Sequence, residues 1–127
     1  MEILDNLIYT KDHEWLREED GKIYIGITDF AQGELGDIIF VEALSAGDCI
    51  EMGGSVGTIE AVKTVADVYS PIPGTIIEVN NMLEDQPELI NSDPYGDGWI
   101  ACIESSTSID SIEAKLTSED YLKFIGK

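Results

Sequence analysis

The chain has 127 residues, 43% of them hydrophobic, with 12 Gly and 4 Pro, a composition that buries a core without disulfides or metal and excludes a low-complexity or disordered tract. Its 26 Asp and Glu against 7 Lys and Arg give a formal net charge of -19, a field that repels phosphate backbones and anionic lipid and so argues against nucleic acid and membrane as partners. Cys49 and Cys102 stand far apart with no Cys-x-x-Cys spacing, which excludes a zinc or dithiol motif and leaves two buried, reduced thiols as the expectation.

Residues 1–8 carry acids and no basic start to an apolar run, and no later stretch is long enough to span a bilayer, so the cytoplasm is the default compartment, or a mitochondrial matrix if a presequence was removed. The acidic surface serves solubility, or speeds encounter with basic protein partners in a salt-dependent way. Nothing in the chain marks a linker, so one domain over 1–127 is expected.

The first strand signals fall at 7–11, 14–17 and 22–27, the last two joined by an acidic turn ending in Asp20-Gly21. Thr28 and Asp29 are suited to cap a short helix over 30–35, which Gly36 would end. Strands resume at 37–42, 56–62, 65–69 and 75–79, with turns at 46–48, 53–54 and 71–74 between them. From 82 to 90 the pattern loosens into a polar connection with one helical turn, and 93–98 reads as a tight loop before a last strand at 99–104. Beyond Ser108 the period turns helical, first at Ile109, Ile112 and Leu116 and then at Tyr121, Phe124 and Ile125, which predicts two short C-terminal helices packed on the sheet.

One internal likeness bears on architecture. Gly36-Asp37-Ile38-Ile39-Phe40-Val41 and Gly74-Thr75-Ile76-Ile77-Glu78-Val79 share Gly-x-Ile-Ile-x-Val, and each is followed by a polar turn and a further strand. Two such halves build a mainly β, flattened barrel or sandwich, unless the likeness is chance between short apolar strands.

Between the copies, Lys63 is the only cation from Lys22 to Lys115. Two apolar alternating stretches reverse around it, so it belongs at a hairpin tip, where a modifying enzyme can reach its amine and acylation would remove its charge at small folding cost. A lone surface lysine is ordinarily only a solvating group, and the flanking pattern is what sets this one apart. His13 is the only histidine, with no Cys nearby in sequence, so no catalytic dyad is supported. Trp15 and Trp99 read as packing residues, and the 91–98 loop lacks the order of a calcium loop.

Glu60-Ala61-Val62-Lys63-Thr64-Val65-Ala66-Asp67-Val68-Tyr69-Ser70-Pro71-Ile72-Pro73-Gly74 resembles the lipoyl-attachment segment of glycine cleavage H-proteins, with Glu-Ser-Val-Lys before and Asp-x-x-Ser-Pro-x-x-Gly after. Five further blocks follow the same family in order: Tyr9 to Trp15, Ile25 to Gln32, Leu35 to Glu42, Pro87-Glu88-Leu89-Ile90-Asn91 and Asp93-Pro94-Tyr95-Gly96-Asp97-Gly98-Trp99. Departures are Ala61 and Pro73, where Ser is common, and Asp12, where a small polar residue is frequent. Val62 and Thr64 replace the flanking Met of a biotin carrier, and the Asp-Lys-Ala of 2-oxoacid dehydrogenase lipoyl domains is absent.

The resemblance implies a barrel-sandwich hybrid of two quasi-symmetric halves with short helices, and a non-catalytic carrier with lipoic acid amide-linked to Lys63. It implies that the arm takes an aminomethyl group from glycine decarboxylase to an aminomethyltransferase and then electrons to dihydrolipoamide dehydrogenase, after a lipoate ligase or lipoyl transferase has installed it. Glu14 and Asp67 match family positions that contact the loaded arm, and Asp12 occupies a third with a changed residue. A monomer is expected, since several enzymes must reach one arm. Two other readings stay open: an H-like relay that passes lipoyl groups to other proteins, and an unmodified acidic interaction module.

Overall fold

The computed structural model describes residues 2–112 and 115–127. Strands β1 (Ile8–Tyr9), β2 (Glu14–Glu19) and β3 (Lys22–Ile27) pair antiparallel in chain order. The β2–β3 reversal uses Asp20 at φ 51 and Gly21 at φ 78, the left-handed pair that lets a tight hairpin follow the twist of its strands. Helix α1 (Asp29–Leu35) begins where Thr28 Oγ1 accepts the Ala31 amide and stops at Gly36, whose φ of 80 is costly for any side chain.

The remaining strands are β4 (Ile38–Ala43), β5 (Cys49–Ile50), β6 (Ser55–Ala61), β7 (Val65–Tyr69), β8 (Gly74–Val79) and β9 (Ala101–Glu104). They complete a six-stranded sheet in the order β1-β2-β3-β9-β8-β5 and a three-stranded sheet in the order β4-β6-β7, two sheets rather than a closed barrel. Both contribute their inner faces to one core: Leu16, Ile23, Ile25, Ile76 and Ile103 from the larger sheet meet Ile38, Val41, Val56, Ile59 and Val68 from the smaller. A second, aromatic cluster of Leu7, Tyr9, Trp15, Tyr95 and Tyr121 forms where helix α4 (Ser118–Phe124) docks beside β1. Gly26 is required there, because a Cβ on it would fall 2.7 Å from the Trp15 ring.

The repeated hexapeptides are structurally equivalent. Ile38 pairs Ala61 and Phe40 pairs Glu60, so Ile39 is a bulge; Ile76 pairs Ile103 and Glu78 pairs Cys102, so Ile77 is a bulge at the same place in the motif. The copies lie in different sheets, each against a later antiparallel partner, β6 or β9.

The structure corrects four local readings. Cys49 is exposed, because β5 is an edge strand that pairs with β8 alone. Leu116 belongs to no helix: it bridges Tyr9 in extended backbone, so the first C-terminal helix shrinks to a 3-10 turn at Ile109–Ser111, with 113–114 outside the described residues. The polar connection holds two helical turns, α2 (Met82–Asp85) and α3 (Leu89–Ser92), rather than one. The two-residue strand β5 was too short for any alternation to announce it.

Candidate functional site

Strands β6 and β7 pair in register from Ile59↔Ala66 to Glu60↔Val65, and the Ala61 amide donates to Thr64 O at 2.8 Å to close the turn. Residues 62–64 stand exposed at its tip, with Lys63 at the centre. Among the described residues the ion pairs are Arg17–Glu19 and Lys123–Glu119, and Lys63 is in neither.

The tip is fastened to the body of the protein. The Val62 amide donates to Asp37 O at 3.1 Å, and the lysine stem lies across Gly36: a Cβ there would sit 3.1 Å from Lys63 Cε and 3.9 Å from Nζ. Gly36 therefore serves twice, by its left-handed φ and by the missing side chain. Asn91 holds the segment in place, its Nδ2 donating to Gly36 O and to Gln32 Oε1, each at 2.9 Å, while its Oδ1 accepts the Ile38 amide at 2.9 Å.

A cleft of about 350 Å³ opens between α1 and β7. Ile27, Ala31, Leu35, Ile59, Ala66 and Val68 give it apolar walls, and Asp12, His13, Glu34 and Asp67 supply its polar groups. A larger cavity of about 680 Å³, lined in part by Thr10, Asp12, Glu14, Met52, Tyr69 and Ile72, adjoins it. Asp12 lines both.

Of the candidate acids, Glu14 is the unusual one. It is 2% exposed, its Oε1 accepts the Thr10 hydroxyl at 3.0 Å, and its Oε2 accepts the Tyr69 amide at 2.7 Å. Burial pushes its carboxyl up to about 8, against both hydrogen bonds and with a further push from the Asp12 charge. It is therefore mainly protonated at neutral pH. Asp67 is exposed and held by the Thr58 hydroxyl at 2.8 Å and the Tyr69 hydroxyl at 3.4 Å. The structure thus brings Asp12 and Asp67 to the α1–β7 cleft and Asp12 and Glu14 to the larger cavity; Tyr69, by its amide and its phenol, links Glu14 to Asp67.

Three residues of this region were not singled out in the sequence. Gly36 was read as a helix stop and as the start of the repeated motif, and Asn91 as part of a matching block and of the 91–98 loop. His13, read as bland, walls the cleft at φ 66, with its Nδ1 2.8 Å from the Tyr121 hydroxyl, which is 2.7 Å from Thr28 Oγ1, the cap of α1. Burial lowers the basicity of His13, opposed by the charges of Asp12 and Glu34. Its partner Tyr121 lies 108 residues away, so no local signal could have joined them.

Among the described residues no group of three or more His, Cys, Asp or Glu is placed to hold a metal ion, and no helix is long and apolar enough to cross a membrane. What the arrangement offers is a reachable primary amine on an anchored tip and, between α1 and β7, a cleft with apolar walls and carboxylates.

A family model described as glycine cleavage H-protein matches residues 7–127. The glycine cleavage system H protein of Listeria monocytogenes serotype 4a (strain HCC23) is 50% identical over 125 residues, covering 98% of this chain and 99% of its own. That of Coprothermobacter proteolyticus is 48% identical over 128 residues, with both chains covered completely at 100%. The crystal structure of a glycine cleavage system H protein from Mycobacterium marinum matches with a TM-score of 0.89 at 35% identity, over 98% of this chain and 100% of that one.

Proposed function

Because the chain belongs to the glycine cleavage H-protein family, we propose that Lys63 is its lipoyl-attachment residue and that the α1–β7 cleft receives the resulting arm. The chain is a lipoyl carrier of the glycine cleavage system, and the other components of that system are its partners. We assign the carrier to one domain over 1–127, a monomer, that acts without catalysing bond chemistry itself.

The observation that carries the assignment is the setting of Lys63: an amine at an exposed turn, in no ion pair among the described residues, with its stem laid over Gly36, the residue after Leu35 of the apolar cleft wall. Such a setting suits an acylated lysine, since neutralising the amine breaks no contact of the fold and the added chain finds apolar walls beside it. Leu35, Ala31, Ile27, Ala66 and Val68 would hold the acyl chain, and Asp12 and Asp67 would face its far end. A lipoyl group supplies, when bound, a dithiolane that carries an aminomethyl group and two electrons.

The protein's own residues then have simple duties. The hairpin fixes the pivot from which a lipoyl group on Lys63 would be held near successive enzymes at high effective concentration. Asp12 and Asp67 attract the cationic amine of a loaded arm. Glu14, whose carboxyl burial holds well above the usual range, lines the adjoining cavity rather than this cleft. In this reading glycine decarboxylase loads the arm, an aminomethyltransferase unloads it, dihydrolipoamide dehydrogenase reoxidises it, and a lipoate ligase or lipoyl transferase installs it.

The test is intact mass. Incubation with lipoate, ATP and a lipoate ligase should add one lipoyl group, mapped to Lys63 by peptide analysis, and Lys63→Arg should take up none while keeping its fold. Addition at another lysine, or none to the parent chain, would overturn the assignment.

A further inference from the structure

The outer face of the three-stranded sheet carries large exposed apolar side chains among its acids. Ile39 is 56% exposed, Phe40 47%, Val62 71% and Val65 60%. All four surround the Lys63 hairpin. Phe40, Glu60 and Val65 form one row across β4, β6 and β7, Ile39 stands beside them at the bulge, and Val62 is next to the lysine. The bulge is what turns Ile39 and Phe40 outward together, where a regular strand would alternate them.

The other half of the molecule shows that the fold does not ask for this. At the same place in the repeated motif, past the same bulge, stands Glu78, exposed as Phe40 is. One backbone arrangement thus carries a glutamate away from the lysine and a phenylalanine beside it. Clustered exposed apolar side chains are the mark of a surface meant to be covered.

Resting on the assignment of Lys63 above, we propose that the face formed by Ile39, Phe40, Val62 and Val65 is the docking surface for the enzyme that acylates Lys63. Later enzymes meet a long arm and reach its end from a distance. The acylating enzyme meets a bare amine on a three-residue turn, and it cannot enclose that amine without covering Val62 and Val65; Phe40 lies two strand spacings from Val65, about 10 Å. The charges on this face, Glu42, Glu60 and Asp67, are all acidic apart from Lys63 itself. The complementary surface therefore offers apolar contacts to Phe40 and Val65 with a basic group between them for Glu60 and others for Glu42 and Asp67, the apolar anchors supplying most of the affinity.

The experiment compares initial rates of lipoylation by a lipoate ligase, read by intact mass over a range of carrier concentrations, for the parent chain, Phe40→Leu and the double variant Phe40→Thr/Val65→Thr. Threonine keeps strand preference and avoids setting a second acid opposite Glu60. The double variant should raise KM about tenfold, the loss of one good apolar anchor, with kcat and the melting temperature unchanged, and Phe40→Leu should stay near the parent. An unchanged KM in the double variant, or a fall in kcat alone, would overturn the docking surface while leaving Lys63 as the acceptor. A parent chain that dimerises through this face, dissociating on Phe40→Thr in sedimentation velocity, would overturn it too. If the parent takes no lipoyl group on Lys63, the assignment fails and the docking surface falls with it.

Discussion

Replacing Glu14 by Gln removes a titration and keeps a shape, so it isolates what the buried carboxyl does to the fold. Burial raises that carboxyl from an ordinary 4.5 to about 8. Between those values the folded chain holds a proton that the unfolded chain has lost, so stability declines as pH rises, by at most about 1.4 kcal/mol per pH unit. From pH 5 to pH 7 the decline comes to about 2–3 kcal/mol, a large part of a typical domain's ~5–15 kcal/mol. In Glu14→Gln the side-chain oxygen can still accept the Tyr69 amide, and the NH2 can donate to Thr10 Oγ1 where the acid shares a hydrogen bond. Unfolding in urea at half-unit steps from pH 5 to 8.5 measures both proteins. All other titrations are common to the two and cancel in the difference. The variant's advantage should widen by roughly 2 kcal/mol between pH 5 and 7 and level off above pH 8. Parallel stability curves would refute the reasoning, because they would mean that Glu14 is already ionised in the folded state.

Two further outcomes follow from packing. Asn91→Leu keeps the volume but leaves the Ile38 amide and Gly36 carbonyl without their partner, at a cost of about 2–4 kcal/mol, and hydrogen exchange of the Val62 amide should quicken beyond that global loss; exchange that merely tracks global stability would separate Asn91 from the hairpin. Of the two thiols, Cys49 should react with an aromatic disulfide reagent in the folded protein and Cys102 only on unfolding, since Cys102 is fully buried and burial raises its thiol pKa; two equal fast phases would contradict the placement.

The parts of the fold that were legible in the sequence are those whose cause is local. Alternation and the Asp20-Gly21 pair announced β2 and β3, Thr28 and Gly36 bracketed α1, and the reversal around Lys63 gave the hairpin. Leu116 misled because its spacing from Ile112 suits a helix, while its backbone bonds are taken by Tyr9, a partner more than a hundred positions away. Glu14 sits in a run with Trp15 and Leu16 in which all three are buried, so strand alternation, which sets Glu14 on the face of Leu16 and Trp15 on the other, does not by itself tell which face is enclosed at residue 14. What buries it is the end of β7 laid alongside, which no window around residue 14 contains. The repeated hexapeptide was readable as letters, but its shared bulge was not, since a bulge is a property of pairing.

The hydrogen bond from Val62 to Asp37 and the glycine bed under the lysine stem act as a hinge plate. A swinging crane covers a circle fixed by its boom, yet it delivers to the right place only if its base does not wander. For an arm carried on Lys63, a root pinned to the α1–β4 connection would leave freedom at the free end and remove it at the origin, so that every docking enzyme would find the cargo measured from the same point.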